Sequence, residues 1–213
     1  MSESKPLIIT EDALCLLKEQ IKEHISGKRY SHTLAVEKEM AHLCRLFSVT
    51  EEETFVLRAA ALLHDITKEK NTEEQISLCI KGNISFGNIE KASPKVFHAM
   101  TAEVVIKERF PEYAVENILT PIRYHTTGRE NMTLGEKLLY LADYIEETRT
   151  FPDCVALRKE FYGVSDPAKD GHLDSVLITS FKMTVQNLLD ENAPIHPATI
   201  ASLNSLLIHR KDG

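Results

Sequence analysis

The chain has 213 residues, 43% of them hydrophobic and 27% charged, with a formal charge of −7; that length suits one globular domain with one core. The acidic balance and the lack of a long basic tract exclude extended nucleic-acid backbone binding as its main work, while a small anionic substrate remains compatible if local cations or metals oppose the global field. No apolar run reaches about eighteen residues and the opening MSESKPLIITEDALCLLKEQ has no basic segment followed by an apolar one, so a cytoplasmic protein without membrane contact is expected, its scattered Cys15, Cys44, Cys79 and Cys154 serving as small buried hydrophobes.

In chain order, Thr10 or Asp12 caps a first predicted helix that runs to about Glu23. A second covers roughly Lys28 to Phe47, with His32, Val36, Met40, Leu43 and Phe47 on one stripe. Thr50 starts a third, with Glu53 three residues on as in a capping box and FVLRAAALLHD following. Further helices are predicted over Thr72–Ile80, Pro94–Arg109, Glu112–Tyr124, Thr133–Glu147, His172–Leu189 and Pro197–Ile208. Residues 82–93 and 126–132 read as loops, and Pro111 and Pro152 as helix boundaries. The fold class expected is all-α, a compact bundle of about eight to nine helices in one domain over residues 1–213. Its core would span about 28–158, with C-terminal helices 172–208 packed on it.

Chemistry concentrates at a few positions. The nearly all-apolar helix from Phe55 to Leu63 ends in His64-Asp65, and a helix apolar on all sides is buried. A buried carboxylate must be paired or must coordinate a metal. Leu138 to Ile145 repeats the pattern, apolar or aromatic except for Asp143. His32 lies on an apolar stripe, His98 sits within SPKVFHAMTAEVV, and His125 ends a helix just before the polar TTGRE. Singly, each histidine reads as structural, His64-Asp65 as a helix C-cap region with a surface aspartate, and Asp143 as the partner of a core-facing arginine. Together, two carboxylates and four histidines make metal the better account, because imidazole plus carboxylate suits zinc, iron, manganese and similar ions. His24, His42, His172 and His209 lack a partner motif, and His196 reads as a cap of the last helix.

The ordered series His32, His64-Asp65, His98, His125, Asp143 resembles the HD phosphohydrolase superfamily. More closely, RYSHTLAVEKEMAHL, AALLHDITK, IRYHTTGRENMTLGEKLLYLADYIEETRTFPD and Leu157-Arg158 resemble the YqeK-type branch of symmetrical bis(5′-nucleosyl)-tetraphosphatases. That resemblance implies an HD-domain bundle that splits diadenosine tetraphosphate into two ADP by a metal-activated hydroxide. It implies one metal on His32, His64, Asp65 and Asp143, and a second on His98 and His125 with Asp65 bridging. Phe97 and Ala99, beside His98, depart from the leucine and glycine of the branch's pattern. Iron is the metal implied, with manganese, cobalt, nickel or zinc also compatible with the ligand types.

Asp65, Lys68 and Arg149 are the expected catalytic residues, Lys68 and Arg149 as phosphate clamps. Arg123, Thr126, Thr127 and Arg129 are candidates to line the substrate mouth, with Gly128 letting the loop approach the ligand. The partner expected is a small dinucleoside polyphosphate or nucleotide, and the apolar C-terminal helices leave packing in cis and a homodimer both open. Two other functions stay open: an HD phosphatase or phosphodiesterase for a nucleoside mono- or triphosphate or a cyclic dinucleotide, and a non-catalytic nucleotide-binding module.

Overall fold

The structure, a computed structural model, describes residues 9–209; the reading of the first eight residues lies outside it. Among the described residues it is all helical, with α1 Glu11–Ile21, α2 Gly27–Leu46, α3 Glu51–Leu63, α4 Thr72–Lys81, α5 Asn88–Ala92, α6 Phe97–Arg109, α7 Glu116–Tyr124, α8 Leu134–Ile145, α9 Pro152–Tyr162, α10 His172–Asp190 and α11 Pro197–His209. The count is eleven rather than eight to nine. The two additional helices are α5 and α9. α5 is a single turn inside a segment whose glycines and asparagines read as loop; the Gly87 N–H donates to the Glu90 carboxylate, 2.7 Å away. α9 begins on Pro152, which fits the first helical position as well as it marks a boundary, and buries Cys154, Leu157 and Phe161 at steps of three and four. Single 3₁₀ turns at Pro94–Val96 and Pro111–Tyr113 delay the starts of α6 and α7.

Local chemistry accounts for the helix starts. Thr10, Ser26, Thr50, Asn71 and Thr133 each accept an N–H of the first turn, and two of them, Asn71 and Thr133, complete capping boxes with Glu74 and Glu136. α3 is the central element, packed against α1, α2, α7 and α8. Its last five residues, Ala59 to Leu63, are all buried, as the apolar run requires. One cluster of buried side chains extends from Ile9 to Leu206. α10 packs on α9, α11 and α8, so the C-terminal helices share the core. Among the described residues no helix is long and apolar enough to cross a membrane. Cys44, Cys79 and Cys154 are buried, but Cys15 is exposed, on the outward face of α1.

Gly128 has a positive φ of 62°. A Cβ there would meet Ser202 Oγ at 2.4 Å and the Phe181 ring at 2.6 Å. The close approach that requires glycine here is to α10 and α11.

Candidate metal centre

Five elements bring the six-residue series to one place. His32 comes from the first turns of α2, His64-Asp65 from the end of α3 and His98 from the start of α6; His125 caps α7, and Asp143 lies in the last turn of α8. After Leu63 the chain leaves the helix through tight turns, Ile66 N–H to Leu63 O and Lys68 N–H to Asp65 O. A buried network then fixes this turn against α6. The Thr67 hydroxyl donates to His98 O at 3.0 Å, and Gln75 Nε2 donates to Thr67 O at 2.6 Å.

Asp65 is the hub, only 3% exposed. Its Oδ2 lies 3.5 Å from His64 Nε2 and 3.6 Å from His32 Nε2, while its Oδ1 lies 3.2 Å from His98 Nε2 and 3.7 Å from His125 Nε2. Asp143 Oδ1 stands 3.0 Å from His32 Nε2 and 3.6 Å from His64 Nε2. His98 and His125 face each other Nε2 to Nε2 at 3.0 Å. One Asp65 oxygen therefore faces the set His32, His64, Asp143 and the other faces the pair His98, His125. His32, His64 and Asp143, and likewise His64, Asp65 and His125, can each offer donor atoms within 4.8 Å of one another.

The ring tautomers are set from behind. The Nδ1–H of His64 donates to Ala61 O and that of His125 to Ile122 O, both at 2.7 Å. His32 Nδ1 is 3.1 Å from a carboxylate oxygen of Glu146, which can only accept. Each Nε2 is thereby left as a bare lone pair turned inward. Despite the short distances, the Nε2 atoms of His32 and His64 are buried without a hydrogen-bond partner. Lone pairs and carboxylate oxygens converging on a common point are repulsive by themselves. Donor atoms held about 2.0–2.2 Å from one ion stand roughly 3 Å apart, so the measured spacings and the orphaned nitrogens fit a divalent cation.

Burial alone would push both carboxyls up, but the surrounding imidazoles, and Arg149 for Asp143, hold Asp65 and Asp143 well below the usual range. Burial lowers His98 to about 4 and also lowers His125, keeping them neutral, the form that can ligate. Burial acts the same way on His64 but is outweighed by Asp65 and Asp143, which raise it to about 10 in the metal-free protein.

Cations surround the cluster. Arg149 Nη2 lies 2.6 Å from Asp143 Oδ1, and Lys68 Nζ is 3.1 Å from His98 Nε2 and 4.0 Å from Asp65 Oδ1. Arg29 Nη1, which sequence reasoning missed, lies 2.6 Å from Asp65 Oδ2; its signal was the single helical turn between it and His32. Glu146, whose place beside Asp143 in sequence fits a supporting residue and a solvated charge equally, is fully buried and accepts from the Thr148 N–H and hydroxyl as well as facing His32. Arg158 of α9 donates to the carbonyls of Ile145, Glu146 and Arg149, satisfying the open C-terminal end of α8.

The proposed mouth residues separate. Thr126 lines a cavity together with His125, Asp143 and Arg149. The Thr127 hydroxyl turns back to Gly128 O, and the Arg123 guanidinium lies over the Tyr124 ring. Arg129 lies away from the centre. It grips Glu136 at 2.5 and 2.8 Å and lines a different cavity, with Thr50 and Glu53 at the opposite end of α3.

A helical domain whose His-Asp pair closes a buried helix and gathers distant histidines and a second aspartate defines an HD-type metal-dependent hydrolase fold. Residues 29–148 match the HD domain family, and the chain belongs to that family. Within it, the chain is 34% identical to "Bis(5′-nucleosyl)-tetraphosphatase, symmetrical" of Halalkalibacterium halodurans, over 90% of this chain and 95% of the relative. It is 32% identical to the Bacillus subtilis protein of the same name, over 92% and 97%. A crystal structure from Clostridium acetobutylicum, described as a predicted HD superfamily hydrolase involved in NAD metabolism, superposes with a TM-score of 0.79 at 28% identity, covering 95% of this chain and 99% of that one.

Proposed function

We infer that the chain is a metal-dependent phosphoanhydride hydrolase that cleaves diadenosine tetraphosphate symmetrically into two ADP. The observation that carries the metal reading is the convergence of imidazole Nε2 atoms, two of them orphaned, on both oxygens of Asp65 and on Asp143. The substrate reading is supported by near full-length similarity to relatives named for that activity.

His32, His64, Asp143 and Asp65 Oδ2 are the proposed ligands of one ion, and His98, His125 and Asp65 Oδ1 those of a second. Imidazole and carboxylate donors without thiolate suit iron, the metal proposed, and equally manganese, cobalt, nickel or zinc. Bound ions would supply Lewis-acid charge and lower the pKa of water towards about 7. The chain's residues supply the rest. Glu146 and the carbonyls of Ala61 and Ile122 hold the imidazoles in the ligating tautomer. Arg149, Lys68 and Arg29 are proposed to bind phosphate oxygens and offset the charge that builds on them. A water oxygen bonds to one inner phosphorus, the central bridging P–O bond breaks, and a nucleoside diphosphate leaves. That leaving group needs little protonation near neutral pH, so no dedicated acid is required. The whole chain acts as one unit on this reading, with α9–α11 completing the HD domain.

The test is chromatography of the products from diadenosine tetraphosphate, using anaerobically purified protein of known metal content. ADP as sole product is expected; ATP with AMP, or free phosphate, would overturn the symmetrical assignment.

A further inference from the structure

A cavity of about 360 Å³ opens directly off the metal centre, lined by His125, Asp143 and Arg149 and also by Thr126, Tyr144 and Phe151. Its size falls in the range of small-ligand clefts. Three features of its lining serve no packing purpose. Phe151 is 64% exposed, the one phenylalanine of eight left in that state. It also occupies the N-cap of α9, where it makes no capping bond, although Ser, Thr, Asp or Asn would satisfy that position. The Thr126 hydroxyl is buried and has no hydrogen-bond partner. Tyr140 and Tyr144, nearly parallel at 16° with centroids 6.3 Å apart, also line the cavity.

We propose that this cavity is a nucleoside subsite, in which Phe151 stacks on the base of one half of the substrate and the Thr126 hydroxyl bonds its ribose-phosphate. The inference rests on the dinucleoside polyphosphate reading above. Phe151 follows Arg149 by two residues, a separation of at most about 7 Å along the backbone. With Arg149 at the reacting phosphates, that places an aromatic face where a base joined to them through one phosphate and a ribose would lie. Stacking does not read the edge of a base, since every base presents a π-face. Adenine and guanine dinucleotides are therefore expected to be accepted alike.

The experiment is calorimetry on metal-loaded protein in buffer holding the same metal, with ADP and with pyrophosphate as a probe that lacks the nucleoside. ADP is expected to bind at least about tenfold more tightly than pyrophosphate. Phe151→Ala should weaken ADP by about tenfold, leave pyrophosphate unchanged, and raise KM with kcat nearly intact; Phe151→Trp should restore ADP binding. Thr126→Val should weaken ADP by a smaller factor. Because Phe151 is a surface side chain, its loss does not threaten the core. Equal affinity for ADP and pyrophosphate, or ADP binding indifferent to Phe151→Ala, overturns the subsite and leaves the metal centre standing. Failure of both ligands to bind the unsubstituted protein overturns the functional reading itself.

Discussion

A buried carboxylate lies beside each end of α3, Glu136 of α8 at one and Asp65 at the other, and the two differ in how they are satisfied. Glu136, 2% exposed, is gripped by two guanidinium nitrogens of Arg129 and accepts the Thr133 N–H. Every lone pair that matters has a donor, and the arrangement is a capping box with an ion pair built onto it. Asp65, 3% exposed, faces four imidazole nitrogens, two of which have no hydrogen-bond partner. Burial of a charge alone therefore does not mark a reactive site. What marks it is a set of acceptors turned towards one another, which only a cation can reconcile.

The contrast can be tested most severely at its centre. Asp65→Ala is expected to abolish metal binding and to lower turnover by at least about a thousandfold, read by metal analysis and product formation; full metal content with full turnover would remove Asp65 as a bridge. Arg149→Ala should keep the metal yet lower turnover by about 10²–10³, and unchanged kinetics would take it out of the site. Glu146→Gln, which weakens the support behind His32, should reduce metal affinity about 10–100-fold in a chelator competition. At the other end, Glu136→Gln should leave metal content and turnover per folded molecule untouched while costing ~1–2 kcal/mol of stability in a denaturant melt, the partly exposed Arg129 softening the loss. A fall in specific activity there would show that the two ends are not independent.

The mildest test is the pH dependence of stability in chelator-treated protein. His64, with burial outweighed by its aspartates, titrates at about 10 when folded and near 6.5 when unfolded. The folded state thus holds the extra proton between these values, and stability falls as pH rises through them. His98, lowered by burial to about 4, acts in the other direction: below about 6.5 the unfolded state binds the extra proton, so stability falls as pH drops towards the folded value. Asp65 and Asp143, both held low, lose their contribution at still more acid pH. Thermal melts should peak near pH 6.5 without metal and lose the alkaline decline when metal occupies the neutral His64 ring; a metal-free curve flat from pH 5 to 9 would contradict the assignment.

The periodicity of α2, α3 and α8 was legible in the sequence, and so was the gathering of six residues, because each lies on an apolar face or at the end of a buried helix. The residues that support them were not. Arg29 has only its spacing from His32 to mark it, and Glu146 reads equally as a supporting residue and as a solvated charge; only the fold shows that they turn inward onto Asp65 and His32. Arg129 has the right type and lies near His125 in sequence, yet its partner Glu136 seven residues on holds it elsewhere. α9 stayed hidden because Pro152 marks a helix boundary without telling which side of it is helical, and α5 is too short for any period to declare itself. Gly128 was recognised as special, but the surface it lets near is the chain's own Phe181 and Ser202.

The grip of Arg158 on three backbone carbonyls has a bearing on how this protein can be cut or recombined. The stretch that matches the HD domain ends at residue 148, one residue before Arg149 and ten before the guanidinium that clamps Ile145, Glu146 and Arg149 in place. A fragment or chimaera trimmed to the match would keep all six candidate ligands and lose the clasp that sets Asp143, Glu146 and Arg149 at their spacing. The smallest transferable unit of this chemistry therefore reaches through α9, past the boundary that similarity alone would draw.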